Sequence, residues 1–297
     1  HPERANSAAA VRLAYDVAHR APWDARVSLY TWTKGIAAGV YLVGLLLLAL
    51  GAIDAGGAVW RWSVPIAAVA AVAVTGAVLS ADLDHPERCL LIFTRRHGRS
   101  WLVRGAFVLV GYGGVLAVHL VTSLLGAPGA PVPLSVWLAI AGGPLAAMAA
   151  VYTAFLFAQC KARDLWQSPL LPPHLIVQAV VAGAAVLLLI DTLAGGAAVG
   201  PGPTLARILA IASLAHVAVA LAEIALTHGT AHARLAAHEM TRGRYRRWFW
   251  AGLALTALGA LGALAPWLPV APPIAALAGL YAFEHAHVQA GQAVPLA

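Results

Sequence analysis

The sequence predicts an all-α integral membrane protein with eight transmembrane helices arranged as two four-helix bundles. Of the 297 residues, 61% are hydrophobic and only 10% are charged, whereas a soluble domain carries about 25% charged residues. The apolar residues also form continuous stretches of about 20 residues, the length that crosses about 30 Å of hydrocarbon as a helix. Most of the protein surface should therefore contact lipid rather than water.

Eight segments are apolar enough to be membrane spans, and turn-forming residues separate them. The predicted spans are residues 35–53, 62–81, 101–125, 134–159, 172–194, 204–227, 248–265 and 270–288. The last two spans are barely long enough to cross, and the loop between them is very short. The prolines of residues 169–173 divide the spans into two sets of four.

This division predicts three regions. We expect a basic-side N-terminal arm over residues 1–30, a first four-helix bundle over 31–168 and a second over 169–297. The arm contains arginines and no apolar core, so it is not a signal peptide. Because the chain starts at His1, we expect the arm to continue from an upstream segment or domain.

The basic residues predict the orientation in the membrane. All lysines and arginines except Arg61 and Arg207 fall on the side of the N-terminal arm. By the positive-inside rule this side is cytoplasmic, which predicts an inner-membrane protein with both termini in the cytoplasm. The net charge of +7 therefore reflects orientation, and we expect no nucleic-acid partner. The loops on the opposite side are short and nearly uncharged, so a soluble partner should dock on the basic side.

Few residues could hold a redox metal within the chain. The two cysteines, Cys89 and Cys160, are too few for an iron–sulfur cluster. A haem would need two histidines at one depth on facing helices, but His119 and His216 differ in depth by roughly 10 Å at about 1.5 Å per residue. We therefore expect no haem, no iron–sulfur cluster, no metal site and no catalytic residue in this chain. If the protein handles electrons, the metal lies in a partner.

Ionisable residues inside membrane spans are costly, so each is a candidate functional residue. Near the basic side the candidates are Lys34, Asp82, Tyr152, His174, Glu223, Glu284 and His285. His216 lies near the middle of its span, and Asp191 lies toward the opposite side. A histidine near the membrane edge is more often an interfacial anchor than a ligand, which is the simpler interpretation of His174.

Two loop motifs on the basic side carry a family resemblance. The first is Asp82-Leu83-Asp84-His85-Pro86-Glu87-Arg88, followed by Ser100-Trp101, and the second is Lys161-Ala162-Arg163-Asp164-Leu165-Trp166-Gln167-Ser168-Pro169. Together with the small residues Gly35-Ile36-Ala37-Ala38-Gly39 of the first span, they resemble the NrfD / polysulfide reductase membrane-subunit family. The resemblance covers about residues 30–288, and the eight spans agree with it.

The resemblance implies a membrane subunit that exchanges electrons between an iron–sulfur partner subunit and the membrane quinone pool, menaquinone or ubiquinone. A catalytic subunit, often a molybdenum enzyme, would complete the complex. The quinone site would lie in the first bundle near the basic side, and Tyr152 matches a tyrosine of that site. Where the family's polysulfide reductases have polar residues including a histidine, this chain has Trp32, Thr33 and Lys34.

The chemistry of a quinone suggests which residues would serve it. Its two carbonyls need donors, and its reduction takes up protons that a carboxylate or histidine must deliver. We predict quinone binding by Tyr152, Lys34, His85 and Trp32, and proton delivery by Asp82 and Asp164. Each residue also has a simpler interpretation: Tyr152 as a packing residue, Lys34 as a snorkelling anchor and Asp82 as an ion-pair partner of a loop arginine.

The basic loops are the predicted docking surface for the iron–sulfur subunit, because the opposite face offers no charged loop. The residues expected to contact the partner are Arg88, Arg95, Arg96, Arg99, Arg163 and Arg244.

Two other functions remain open from the sequence. His216 and Glu223 lie seven residues apart and share a face of the sixth span. Together with Asp191, Tyr152 and Glu284 they could form a proton path through the second bundle. This alternative is compatible with quinone chemistry. A solute transporter would have broken helices at matching positions of both halves, but Gly142-Gly143-Pro144 of the fourth span has no counterpart in the eighth.

Overall fold

The computed structural model describes residues 23–82, 91–94, 98–125, 132–195, 201–226, 228–265 and 267–294. All regular secondary structure within these ranges is helical, which confirms the predicted all-α class. Four of the predicted site residues, His85, Arg88, Arg95 and Arg96, lie outside the described residues.

Ten α-helices make up the described chain. They are α1 (Ala25–Ala49), α2 (Val64–Ala81), α3 (Leu91–Thr94), α4 (Trp101–Leu125), α5 (Val132–Ala158), α6 (Leu171–Leu193), α7 (Gly202–Ala225), α8 (Ala231–Thr241), α9 (Arg246–Ala263) and α10 (Ala271–Gln292). A π-helical turn, Val59–Ser63, leads into α2, and a 3₁₀ turn, Asp164–Gln167, precedes α6.

The helix starts follow from local chemistry. The carboxylate of Asp24 accepts a hydrogen bond from the Arg26 amide and caps α1, and the Thr230 hydroxyl caps α8 in the same way. The helices α2, α6, α7 and α10 have proline in their first turn, where the missing amide hydrogen costs no intrahelical bond.

Within the described ranges, six helices are long and apolar enough to cross a membrane, namely Ala25–Ala49, Val59–Ala81, Trp101–Leu125, Val136–Ala158, Leu171–Leu193 and Gly202–Ala225. Their outer faces carry exposed apolar side chains such as Val110, Leu124 and Ile211, which are 60%, 64% and 70% exposed. Such surfaces match lipid rather than water, so this is a multi-pass membrane protein. The last two predicted spans are helical, as α9 and α10, but do not meet the same criterion of length and composition.

Helix α1 lies at the centre of the fold and packs against α2, α5, α6 and α10. Its closest approach is to α6, where Gly39 faces Ala179 and Gly183. A Cβ atom at Gly39 would overlap the Ala179 carbonyl oxygen, and one at Gly183 would overlap the Gly39 backbone. The absence of both side chains lets the two backbones touch, as small residues do in membrane helix packing.

Two local features differ from the sequence expectations. Helix α1 begins at Ala25, ten residues before the predicted span, because Asp24 caps it and the intervening residues can continue the helix. The loop after α7 contains an additional helix, Ala231–Thr241. The sequence did not predict this helix as a membrane span because it is short and contains many polar residues.

Candidate functional site

A first buried polar group, the tyrosine–lysine cluster, consists of Tyr30, Lys34 and Tyr152. Tyr30 and Lys34 are four residues apart and so share one face of α1, while Tyr152 comes from α5. The hydroxyl groups of Tyr30 and Tyr152 hydrogen-bond to each other, and both side chains are buried. Two phenols from different helices are therefore held together at the same level of the first half.

The ammonium of Lys34 is held by backbone oxygens. Its Nζ donates to the carbonyl oxygens of Ala149 and Ala150 at 2.9 and 2.6 Å, and lies 5.1 Å from the centre of the Tyr152 ring. The side chain is only 1% exposed, so Lys34 does not snorkel to the membrane surface. An ammonium has three N–H donors, and two carbonyls use two of them.

The Tyr152 ring has little freedom to move. On its other side lies α4, and a Cβ atom at Gly105 would overlap the ring carbons of Tyr152. The glycine thus makes room for the tyrosine, and the ring fills that room. This packing orients the hydroxyl toward Tyr30 and supports a specific role for the side chain.

Lys34 also faces a small cavity between the two halves of the molecule. The cavity has a volume of about 10 Å³ and is lined by residues that include Trp32, Lys34, Gln178 and Glu284, which leaves room for about one water molecule. Glu284 of α10 is buried and lies within range of electrostatic attraction to Lys34. The indole of Trp32 donates to the Leu277 carbonyl of α10 at 3.0 Å, so Trp32 also joins the two halves.

A second polar group, the histidine cluster, consists of His174, His216 and Glu223 in the second half. One imidazole contacts both neighbours: Nδ1 of His174 lies 3.1 Å from the Glu223 carboxylate, and Nε2 lies 2.9 Å from Nδ1 of His216. The three side chains form a continuous hydrogen-bonded line between α6 and α7. The two histidines are 1% and 0% exposed, so this line lies inside the helix packing.

The histidine cluster opens toward the basic side. A cavity of about 330 Å³, here called the basic-side cavity, is lined by Asp164, Glu223, His228 and His287 among others. Because Glu223 both lines this cavity and contacts His174, the hydrogen-bonded line runs from the cavity to His216. Because Glu223 and His216 are seven positions apart, the line reaches about 10 Å along the helix.

The two clusters approach each other along shared helices. His174 and Gln178 lie one turn apart on α6, and Gln178 lines the small cavity beside Lys34. Glu284 and His287 lie one turn apart on α10, at the small cavity and the basic-side cavity respectively. Polar side chains thus extend from Lys34 to the basic-side cavity through two helices.

The predicted proton-transfer residues occupy three different places. Asp164 accepts a hydrogen bond from the Thr230 hydroxyl at 2.6 Å and lines the basic-side cavity with Glu223, so it belongs with the histidine cluster rather than with Tyr152. Asp82 is exposed at the end of α2. Asp191 lies at the opposite end of α6, near Gly202 of α7. The structure therefore brings together His216, Glu223 and Asp164, and leaves Asp191 apart from them.

The predicted docking arginines also differ in their surroundings. Arg99 and Arg244 are exposed on the basic side. Arg163 is 8% exposed and donates to the carbonyl oxygens of Gln292 and Val294 at 3.0 and 2.6 Å. Its guanidinium therefore ties the loop before α6 to the end of α10 and does not lie on the docking face. The half-buried Cys160 thiol nearby has a pKa raised by burial, which the positive charge of Arg163 partly offsets.

Of the residues that complete the clusters, Tyr30 was not among the sequence candidates, although its four-residue spacing to Lys34 could have revealed it. His174 and Glu284 were candidates as ionisable residues near the basic side, but His174 was interpreted as an edge anchor and Glu284 as part of a possible proton path. The contacts of both residues come from distant helices, which spacing along one helix does not reveal. Within the described ranges, no group of three or more His, Cys, Asp and Glu side chains could hold a metal ion.

A comparison with curated proteins found no match to this sequence. Protein-family comparison, however, matches residues 15–287 to the family described as Polysulphide reductase, NrfD. The match spans all six apolar helices and both clusters. The chain therefore belongs to the NrfD family of polysulphide reductase membrane proteins.

Proposed function

We propose that this chain is the quinone-reactive membrane subunit of an oxidoreductase complex. It exchanges electrons between an iron–sulfur partner subunit and the membrane quinone pool, menaquinone or ubiquinone, while a catalytic subunit, often a molybdenum enzyme, holds the substrate centre. Family membership supports the general assignment. The observation that carries it further is the tyrosine–lysine cluster, since Lys34 and Tyr152 bring hydrogen-bond donors together inside an apolar helix bundle.

We also propose the full eight-span arrangement. Helices α1, α2, α4 and α5 pack in a ring, and so do α6, α7, α9 and α10, which supports two four-helix bundles. In this arrangement α9 and α10 are the seventh and eighth spans. Both termini then lie on the basic side, which the positive-inside rule assigns to the cytoplasm.

The chain's own residues provide donors for a quinone head group. A bound quinone supplies chemistry that moves two electrons and two protons, and the protein supplies orientation and electrostatics. The third N–H of Lys34 and the hydroxyl of Tyr152 suit its carbonyl oxygens. Trp32 and His85 remain predicted quinone-binding residues. The cavity beside Lys34 has a volume of only about 10 Å³, so binding requires the surrounding side chains to move apart.

Protons would reach this site from the basic side. Asp82, at the end of α2, remains a proposed donor. Asp164 would act through the basic-side cavity, because its carboxylate lines that cavity. The exposed Arg99 and Arg244, together with Arg88, Arg95 and Arg96, form the proposed docking surface, whose positive charge would attract an acidic partner.

The Tyr152→Phe substitution tests this function. It keeps the ring against Gly105 and removes only the hydroxyl, so quinone-linked turnover of the purified complex should fall about tenfold, as expected for one lost hydrogen bond of about 1.4 kcal/mol. Tyr41→Phe is the matched control, because Tyr41 is buried in the same half and donates to the Leu138 carbonyl at 3.0 Å. Equal turnover in the two variants would remove Tyr152 from the proposed site.

Proton translocation through the second half is a second candidate function. The histidine cluster favours it, because an imidazole that bonds through both nitrogens can accept a proton on one and release it from the other. Asp191 remains the predicted acid on the opposite side. The substitutions His216→Leu and Glu223→Gln should lower proton uptake into proteoliposomes at least tenfold while quinone-linked turnover continues. Loss of turnover together with proton uptake would contradict a separate proton path.

A further inference from the structure

A third cavity lies at the end of the molecule opposite the basic loops. It has a volume of about 330 Å³ and lies between the end of α6, the start of α7 and the turn joining α9 to α10. Apolar side chains such as Leu188, Leu264 and Leu268 line it. Trp267 is 77% exposed beside it, and a tryptophan at the end of a membrane helix is typical of the headgroup level.

Two opposite charges border this apolar cavity. Asp191, near the end of α6, and Arg207, in the second turn of α7, both line it. Neither side chain has a hydrogen-bond or ion-pair partner within the residues that the structure describes. Arg207 is exposed, and its long side chain can carry the guanidinium toward the membrane surface.

Arg207 differs in its contacts from Arg61, the other basic residue predicted on this side of the membrane. The Arg61 guanidinium donates to the Ser123 carbonyl at 3.0 Å and lies 5.7 Å from the centre of the Trp62 ring, so the protein itself provides its contacts. The charge of Arg207 is instead directed at a cavity whose walls are apolar. A ligand for this cavity needs an apolar body and an anionic group at headgroup depth.

We infer that this cavity binds one phosphatidylethanolamine molecule from the outer leaflet. An acyl chain would fill the apolar walls, Arg207 would bind the phosphate, and Asp191 would accept a hydrogen bond from the primary ammonium. An arginine suits a phosphate because its planar fork of donors matches the phosphate oxygens. The pairing of a cation with an anion matches a zwitterionic headgroup, whereas an anionic lipid would meet the Asp191 carboxylate without a compensating charge.

A quinone fits this cavity less well. Its carbonyls could accept from Arg207, but the Asp191 carboxylate would face the ring without any donor to bind. The inferred lipid site therefore goes beyond the quinone and proton functions proposed above and does not depend on either of them.

Native mass spectrometry of the complex, purified in mild detergent and stripped of lipid, tests the inference. Titration with phosphatidylethanolamine should yield one tightly held molecule, bound more tightly than phosphatidylglycerol. Arg207→Ala should weaken this binding about tenfold, the effect of one lost charged hydrogen bond. Asp191→Asn should abolish the preference over phosphatidylglycerol. Arg61→Ala removes the same charge from the same side of the membrane and should leave binding unchanged.

Several outcomes would overturn the inference. One is that the Arg207→Ala variant retains as much phosphatidylethanolamine as the parent, and another is that Arg61→Ala weakens this binding as much as Arg207→Ala does. The parent binding phosphatidylglycerol more tightly than phosphatidylethanolamine, or releasing a quinone from this cavity, would also contradict it. The thermal stability of each variant is measured in parallel, and the conservative Arg207→Lys distinguishes lost binding from misfolding. This variant keeps the charge but lacks the planar fork, so it should recover part of the retained lipid.

Discussion

The two halves of the molecule bury their polar residues in different ways. In the first half, the phenols of Tyr30 and Tyr152 bond to each other and the Lys34 ammonium is enclosed by backbone carbonyls. In the second half, the two histidines are equally buried, but the cluster ends, at Glu223, at a cavity of about 330 Å³. The first arrangement holds donors in an enclosed site, whereas the second connects buried histidines to the basic-side cavity.

This difference suggests that the two halves have different functions. An enclosed apolar site strengthens hydrogen bonds by its low dielectric constant, which suits the binding of a quinone carbonyl. A line of imidazoles open at one end suits the passage of protons. Gln178 and Glu284 extend from one cluster toward the other. The difference between the halves can therefore be tested by separating them or by changing one residue between them.

Separating the halves should have the largest effect. In Gly39→Ala the new methyl group would overlap the Ala179 carbonyl oxygen, and neither backbone can yield without moving a whole helix. We expect a destabilisation of about 3 kcal/mol or more, measured as loss of monodisperse protein in detergent and a lowered thermal midpoint.

Gly35→Ala provides the control for this change. It is the same substitution one turn earlier on α1, and no heavy atom lies within 4 Å of its Cβ position. We expect it to be neutral or to stabilise α1 by roughly 0.5–1 kcal/mol, since alanine favours the helix over glycine. Similar losses in the two variants would show that close contact between α1 and α6 does not hold the halves together.

Removing the charge between the halves should have an intermediate effect. Lys34→Met deletes the ammonium and leaves Glu284 buried without its opposite charge. We expect a destabilisation of about 1–3 kcal/mol, seen as a lower midpoint of thermal unfolding. Glu284→Gln added to Lys34→Met should restore part of this loss, because the unpaired carboxylate causes much of it.

The same double-mutant cycle tests whether the two residues interact. Independent residues would give additive losses in the double variant. Additivity would mean that Lys34 and Glu284 line the same cavity without interacting, and that the two clusters act separately.

The smallest expected effect is on the reactivity of Cys160, which lies in the loop between the two halves. Burial raises the pKa of the Cys160 thiol, so at a given pH less thiolate is present than for an exposed cysteine, and thiolate is the reactive form. In a Cys89→Ser background, alkylation of Cys160 by N-ethylmaleimide should be slow at neutral pH and should rise only above the usual thiol pKa of about 8.5. A half-maximal rate below that pH would indicate an open loop.

The sequence predicted the regular parts of the fold well. The expected spans 101–125 and 172–194 agree closely with α4, Trp101–Leu125, and α6, Leu171–Leu193, because the length of an apolar run and its proline boundaries are local properties. The early start of α1 and the helix Ala231–Thr241 were missed. Hydrophobicity predicts neither feature, because a helix cap and a short polar helix do not change the apolar content of the sequence.

The candidate sites were predictable only in part. The resemblance selected Tyr152, quinone chemistry selected Lys34, and the structure brings these two side chains into contact. The seven-residue spacing paired His216 with Glu223, but the imidazole that joins them, His174, comes from another helix. Asp164 was expected to serve Tyr152 and lies instead at the basic-side cavity, because the loop that carries it packs against the second half.

Composition alone determines that this protein resides in a membrane, since 61% hydrophobic residues cannot be enclosed within a soluble domain of this size. The placement of the basic residues similarly predicts which loops share a side. Only the tertiary structure decides which buried polar groups meet, because helices distant in sequence pack side by side through contacts such as Gly39 against Gly183. In an apolar bundle an unpaired polar group is costly, so the partner that each group finds across a helix interface defines its chemistry.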